Sequence, residues 1–110
     1  MDLLMKKSST RQILPTHPGE DLLELLQDHG LTQYRLAKNL GISQTRIMQI
    51  VKGKRSISAD TALRLARFFG MSKEYWLNRQ MYFDLECAQI AFGEDIEKTV
   101  TPMTQIASDG

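Results

Sequence analysis

Helix punctuation recurs along this chain so regularly that it leaves room for little except short helices joined by tight turns. His17 precedes Pro18, whose fixed φ suits a first helical position, and Glu20 and Asp21 follow where the positive end of a helix favours acid. Gly30 then supplies the left-handed residue that ends many helices. The pattern returns four times, each opened by a hydroxyl residue able to accept a backbone N–H: Thr32, Ser43, Ser58 and Ser72. Gly41, Gly53 and Gly70 stop three of these segments. Between the marks, apolar residues keep helical spacing: Leu22, Leu23, Leu25 and Leu26, then Leu36, Ala37 and Leu40, then Ile47, Ile50 and Val51, then Leu63, Leu65, Ala66 and Phe69. The fifth segment runs through Trp76, Leu77, Met81 and Leu85 toward Ala91. No stretch carries a strand pattern, so the expected fold is all-α, an orthogonal bundle of five helices.

A chain of 110 residues suits one hydrophobic core with short extensions. We expect a loose arm over residues 1–15, a helical domain over 16–91 and an acidic tail over 92–110, in which the stretch from Asp95 to Val100 is the one candidate helix. The single Cys87 cannot close an internal disulfide, and no Cys and His set has zinc-ligand spacing, so no metal or other cofactor is expected and a reducing, cytoplasmic setting fits. Neither an export signal nor a membrane span is indicated by the apolar runs.

The net charge of +1 conceals a strong asymmetry. Between Asp28 and Asp60 there is no acidic residue, while Arg35, Lys38, Arg46, Lys52, Lys54 and Arg55 are all basic. From Gln80 onward, six acids (Asp84, Glu86, Glu94, Asp95, Glu97 and Asp109) face one lysine, Lys98. A polyanion would meet the first region and avoid the second.

The basic region coincides with a tight helix pair. Gln33–Leu40 and Gln44–Val51 are separated by only Gly41, Ile42 and Ser43, which forces a steep crossing. Ala37 provides the small side chain at the closest approach, Gly41 the positive φ of the turn, and Ile42, Ile47 and Ile50 an apolar wall against Leu36 and Leu40. If the isoleucines face inward, Ser43, Gln44, Thr45, Arg46, Gln49 and Lys52 face outward. These are base-reading residue types. Gln44 and Gln49 can bond adenine bidentately, Thr45 can touch a thymine methyl, and Arg46 can reach guanine or phosphate. Gln33 opens a helix whose free N–H groups suit a phosphate, and Lys52, Lys54 and Arg55 would clamp the neighbouring backbone. His17 and His29 are expected at helix ends without a catalytic duty, and Cys87 as a small buried side chain rather than a nucleophile.

The stretch from His17 to Leu85 resembles HigA-type (VapI-like) antitoxins of the XRE family, with a lambda-repressor-like helix-turn-helix formed by helices 2 and 3. HPGEDLLELL, LAKNLGIS, GKRSISADTALRLARFFG and SKEYWLNRQMYFDL carry the likeness, over about two thirds of the chain. The resemblance implies a homodimeric autorepressor that binds double-stranded operator DNA and neutralises a HigB-type toxin, a small RelE-like RNase. It also implies a dimer contact toward helix 5, in keeping with a WLNRQMYFDL segment richer in large apolar residues than one small domain can bury. Trp76, Leu77, Met81, Tyr82 and Leu85 are the expected two-fold interface, with recognition helices about 34 Å apart. Arg79 departs from the family pattern, which more often has an apolar residue there, and leaves the packing of helix 5 open. A stand-alone repressor without a toxin is the neighbouring alternative. A small nuclease is disfavoured, because no acidic cluster, Cys and His pair or phosphate loop has workable spacing, and no small-molecule substrate is expected.

Overall fold

In the computed structural model, residues 14–109 are described, with side chains as far as Ile106. Nearly all of the expected arm, 1–15, therefore lies outside the described residues. The order of elements is α1 (Pro18–His29), α2 (Gln33–Leu40), α3 (Gln44–Val51), α4 (Ala59–Phe69), α5 (Tyr75–Thr99) and α6 (Met103–Asp109).

The residues Thr16–Phe83 form one compact unit. Each of its first four helices starts from a side-chain cap. The His17 imidazole Nδ1 accepts the Gly19 N–H at 2.8 Å, and Thr32, Ser43 and Ser58 hydroxyls accept from Arg35, Arg46 and Thr61 N–H groups at 3.0, 3.1 and 3.3 Å. Such a bond satisfies one of the four donors that a helix start leaves orphaned, and each contributes about 1 kcal/mol. Gly30, Gly41 and Gly70 close α1, α2 and α4.

The core is assembled from one stripe of each helix: Leu22 and Leu26, Leu36 and Leu40, Ile47 and Ile50, Ala62 and Leu65, and Trp76, with Ile57 from the loop before α4. Burying each of the larger of these side chains stabilises the fold by about 1.5 to 3 kcal/mol before entropy is counted. Helix α3 lies against both α1 and α2, and α4 lies against α2. Leu63, counted among the apolar positions of α4, is 54% exposed, and Ala62 occupies the inward position instead.

Three expectations about α5 are corrected. Ser72 does not cap it: the chain first makes a turn closed by the Tyr75 N–H on the Ser72 carbonyl, and the helix begins at Tyr75. Nor does the helix fade toward Ala91. It continues through Gly93 to Thr99, taking in the Asp95 stretch expected as a separate helix. A glycine inside a helix costs only about 1 kcal/mol relative to alanine and is no stop unless φ turns positive, which Gly93 does not. Finally, Arg79 does not disturb the packing. Its Nε donates to Asp21 Oδ2 at 2.6 Å, joining α5 to α1 through two half-buried side chains. That bond to the carboxylate raises the Arg79 pKa, against the burial that lowers it. Because arginine already titrates far above neutrality, the shift leaves its contribution constant across ordinary buffers. We expect Arg79→Met to lower stability by about 1 to 2 kcal/mol, checked by urea unfolding at pH 7.

The second unit takes in the described chain from Asp84 onward. It contains the acidic end of α5, the turn at Pro102 and the short α6, and Phe92, Ile96, Val100, Met103 and Ile106 are all more than half exposed there.

Candidate nucleic-acid interface

The turn between α2 and α3 is shaped by Gly41, whose φ of 73° lies in the left-handed region that favours glycine. The Gly41 and Ile42 N–H groups both donate to the Ala37 carbonyl, at 2.9 and 3.1 Å, so the chain reverses immediately after α2. Ile47 and Ile50 are fully buried, and Ile42 and Val51 pack at the margin of the same core. Helical geometry then places Gln44 and Thr45 on the exposed side, with Gln49 half-buried one turn later. Ser43 is exposed, but its hydroxyl is committed to the cap.

Arg46 is less available than its sequence position suggests. Its Nη1 lies 3.3 Å from Asp60 Oδ2 and 3.5 Å from the Thr61 hydroxyl, which ties the start of α3 to the start of α4. Asp60 also takes Arg64 Nε at 3.1 Å, and Arg64 Nη1 donates to the Leu40 carbonyl at 2.7 Å. One carboxylate and two guanidiniums thus brace the end of α2 and the beginning of α3 on a third helix. Sequence reasoning did not single out Arg64, since 24 residues separate it from Leu40 and no local pattern joins them.

The basic loop after α3 is wound over the helix end. Gly53 N–H donates to the Ile50 carbonyl at 2.9 Å and Lys54 N–H to the Gln49 carbonyl at 2.8 Å. Lys52, Lys54 and Arg55 are exposed, and among the described residues none forms an ion pair. At the far side of the loop, Ile57 N–H donates to Gln80 Oε1 at 2.9 Å, a bond in which both residues are buried. Gln80 also escaped the sequence reading. It closes the polar run Asn78, Arg79, Gln80, in which nothing local marks one residue as inward, and here Asn78 is exposed while Gln80 is buried. Gln33 sits half-buried at the first position of α2.

Of the residues expected at a dimer contact, Trp76 is corrected. It is 0% exposed, stacked edge-on against Tyr75 within the core of its own unit, and has no surface to offer a second chain. Leu77, Met81, Tyr82 and Leu85 are exposed along α5. Cys87 is half-buried. Among the described residues no group of His, Cys, Asp and Glu could hold a metal ion, and no helix is long and apolar enough to cross a membrane.

Known proteins share this arrangement. A helix-turn-helix family model matches residues 22–76. The chain is 50% identical to virulence-associated protein I of Dichelobacter nodosus over 74 residues, 66% of this chain and 68% of that protein. A solved addiction module antidote protein of the HigA family from Coxiella burnetii superposes with a TM-score of 0.76 at 49% identity, over 80% of this chain and 97% of that one. The antitoxin HigA of Pseudomonas aeruginosa, solved with the higBA promoter, gives a TM-score of 0.78 at 39% identity, again over 80% and 97%. With the family motif spanning α2 and α3, and relatives of this identity matching along most of their length, the chain belongs to the XRE-type helix-turn-helix family, among its HigA-type antitoxins.

Proposed function

We propose that this protein is the antitoxin of a HigBA-type module, which represses its own promoter as a dimer on operator DNA and neutralises a RelE-like RNase. The observation that supports this most is the outward pair Gln44 and Thr45 on a helix fixed from behind by Ile47 and Ile50, in the fold of an antitoxin solved with its promoter. With α3 in the major groove, its N-terminal residues meet base edges, while Gln33 and the loop cations Lys52 and Lys54 meet phosphates on either side. Repression needs only occupancy: a dimer seated on a promoter excludes polymerase by position. We assign the protein no catalytic step and a cytoplasmic location, where both its DNA and a ribosome-dependent toxin are found.

A two-fold pairing along Leu77, Met81, Tyr82 and Leu85 would set two copies of α3 one helical turn apart, about 34 Å. A monomer at micromolar concentration in sedimentation equilibrium would remove that pairing. The toxin's contact surface is proposed on the acidic stretch after Gln80, whose charge opposes that of a basic RNase, with the arm at Leu3 to Leu14, which lies almost wholly outside the described residues, as the alternative.

Direct titration of operator duplexes tests the DNA reading. Gln44→Ala is expected to relax sequence preference by about 1 to 2 kcal/mol, within the range for a bidentate base contact. Lys54→Ala is expected to weaken every sequence alike and to reduce the slope of log affinity against log salt by about 1. Identical behaviour of the two variants across operator sequences would contradict the division into reader and clamp.

A further inference from the structure

Gln49 and Arg55 are already joined in the free protein. Arg55 Nε donates to Gln49 Oε1 at 2.8 Å. An arginine side chain has donors and no acceptor, so this bond dictates which way round the amide sits, with its oxygen toward Arg55 and its NH₂ group away from it. The return of the loop over the end of α3 makes the bond attainable. Lys54 N–H is anchored on the Gln49 carbonyl and Ile57 N–H on Gln80, so Arg55 is held from both flanks beside a side chain six positions earlier.

The consequence concerns base chemistry. A glutamine that bonds adenine bidentately accepts from N6 with its oxygen and donates to N7 with its nitrogen. In this chain the oxygen already accepts from Arg55, so apart from that oxygen's second lone pair the groups the pair has left to offer are donors: the Gln49 NH₂ and the remaining N–H groups of the exposed Arg55 guanidinium. Guanine presents two acceptors, N7 and O6, on its major-groove edge, whereas adenine presents an acceptor and a donor. Resting on the DNA-interface reading, we infer that Gln49 and Arg55 act as one donor unit that selects guanine over adenine, which makes Arg55 a specificity-determining residue rather than a phosphate clamp. Because the bond is formed before binding, little side-chain freedom remains to be lost on the DNA.

The test uses the full chain and a random-sequence duplex library, from which the best wild-type site is selected and then varied base by base in an anisotropy titration. One guanine per half-site is expected to be preferred over adenine by tenfold or more, and to lose most of that preference when replaced by 7-deazaguanine. Gln49→Ala and Arg55→Ala are each expected to abolish that preference, and the double variant to lose no more than either single one. Arg55→Lys, which keeps the charge but lacks the guanidinium fork, is expected to resemble Arg55→Ala. Uniform weakening of all sequences by Arg55→Ala, or a preference for adenine at the position Gln49 governs, would overturn the inference while leaving the DNA interface intact. Failure of the wild-type chain to enrich any sequence, with Gln44→Ala equally silent, would overturn the interface itself.

Discussion

Gly19→Ala is expected to lower the stability of the helix-turn-helix unit by about 3 kcal/mol, the upper end of what inserting a methyl into a packed site costs. A Cβ at this position would overlap the Ile50 carbonyl oxygen outright and stand 2.8 Å from its carbon. Both are backbone atoms at the end of α3, so no side-chain rotation relieves the clash. The first turn of α1 would have to lift away, pulling Leu22 from the core and straining the His17 cap on the Gly19 N–H. For a unit of this size the Tm should fall by roughly 10 to 20 °C, read by circular dichroism in the far ultraviolet. Gly93→Ala is the control: the atoms nearest its added Cβ all belong to the end of the flexible Gln89 side chain, which can swing aside, and Tm is expected to hold or rise slightly. A Gly19→Ala protein melting with the wild type would mean that α1 and α3 do not approach each other as described.

The second large effect is expected at Gln80. Gln80→Leu keeps the volume but leaves the buried Ile57 N–H without its acceptor, at a cost of about 2 kcal/mol. The stability loss, measured by urea unfolding, should be accompanied by a several-fold loss of DNA affinity at temperatures where the variant is still folded. That second effect distinguishes the residue from an ordinary core position, because Ile57 ends the loop that carries Lys54 and Arg55. A variant with the expected stability loss and unaltered affinity would show that the loop keeps its course without this bond.

What could be read from the residues alone follows the range of the forces involved. The caps at Thr32, Ser43 and Ser58 and the stop at Gly41 act over three or four residues, so the helices they bound were legible and fell where expected. The outward side of α3 followed from periodicity, given Ile47 and Ile50 inside. Pairings across the fold were not legible. Arg46 looked free until Asp60 was brought alongside it by α4, and Arg79 looked misplaced until Asp21 appeared opposite. Trp76 illustrates the same point: Leu77 and Met81 beside it on α5 are exposed, while Trp76 itself is buried in one cluster with residues of α1 to α4. Gly93 misled for another reason, since a glycine signals a stop only through a backbone angle that the sequence does not state.

Gln44 and Thr45 stand apart from this web of bonds. The cap beneath them belongs to Ser43, the brace beside them to Arg46, and the anchorage behind them to Ile47 and Ile50. On the proposed DNA reading, those two side chains could therefore be exchanged, and the sequence they select with them, while every bond that holds α3 in place stays as it is.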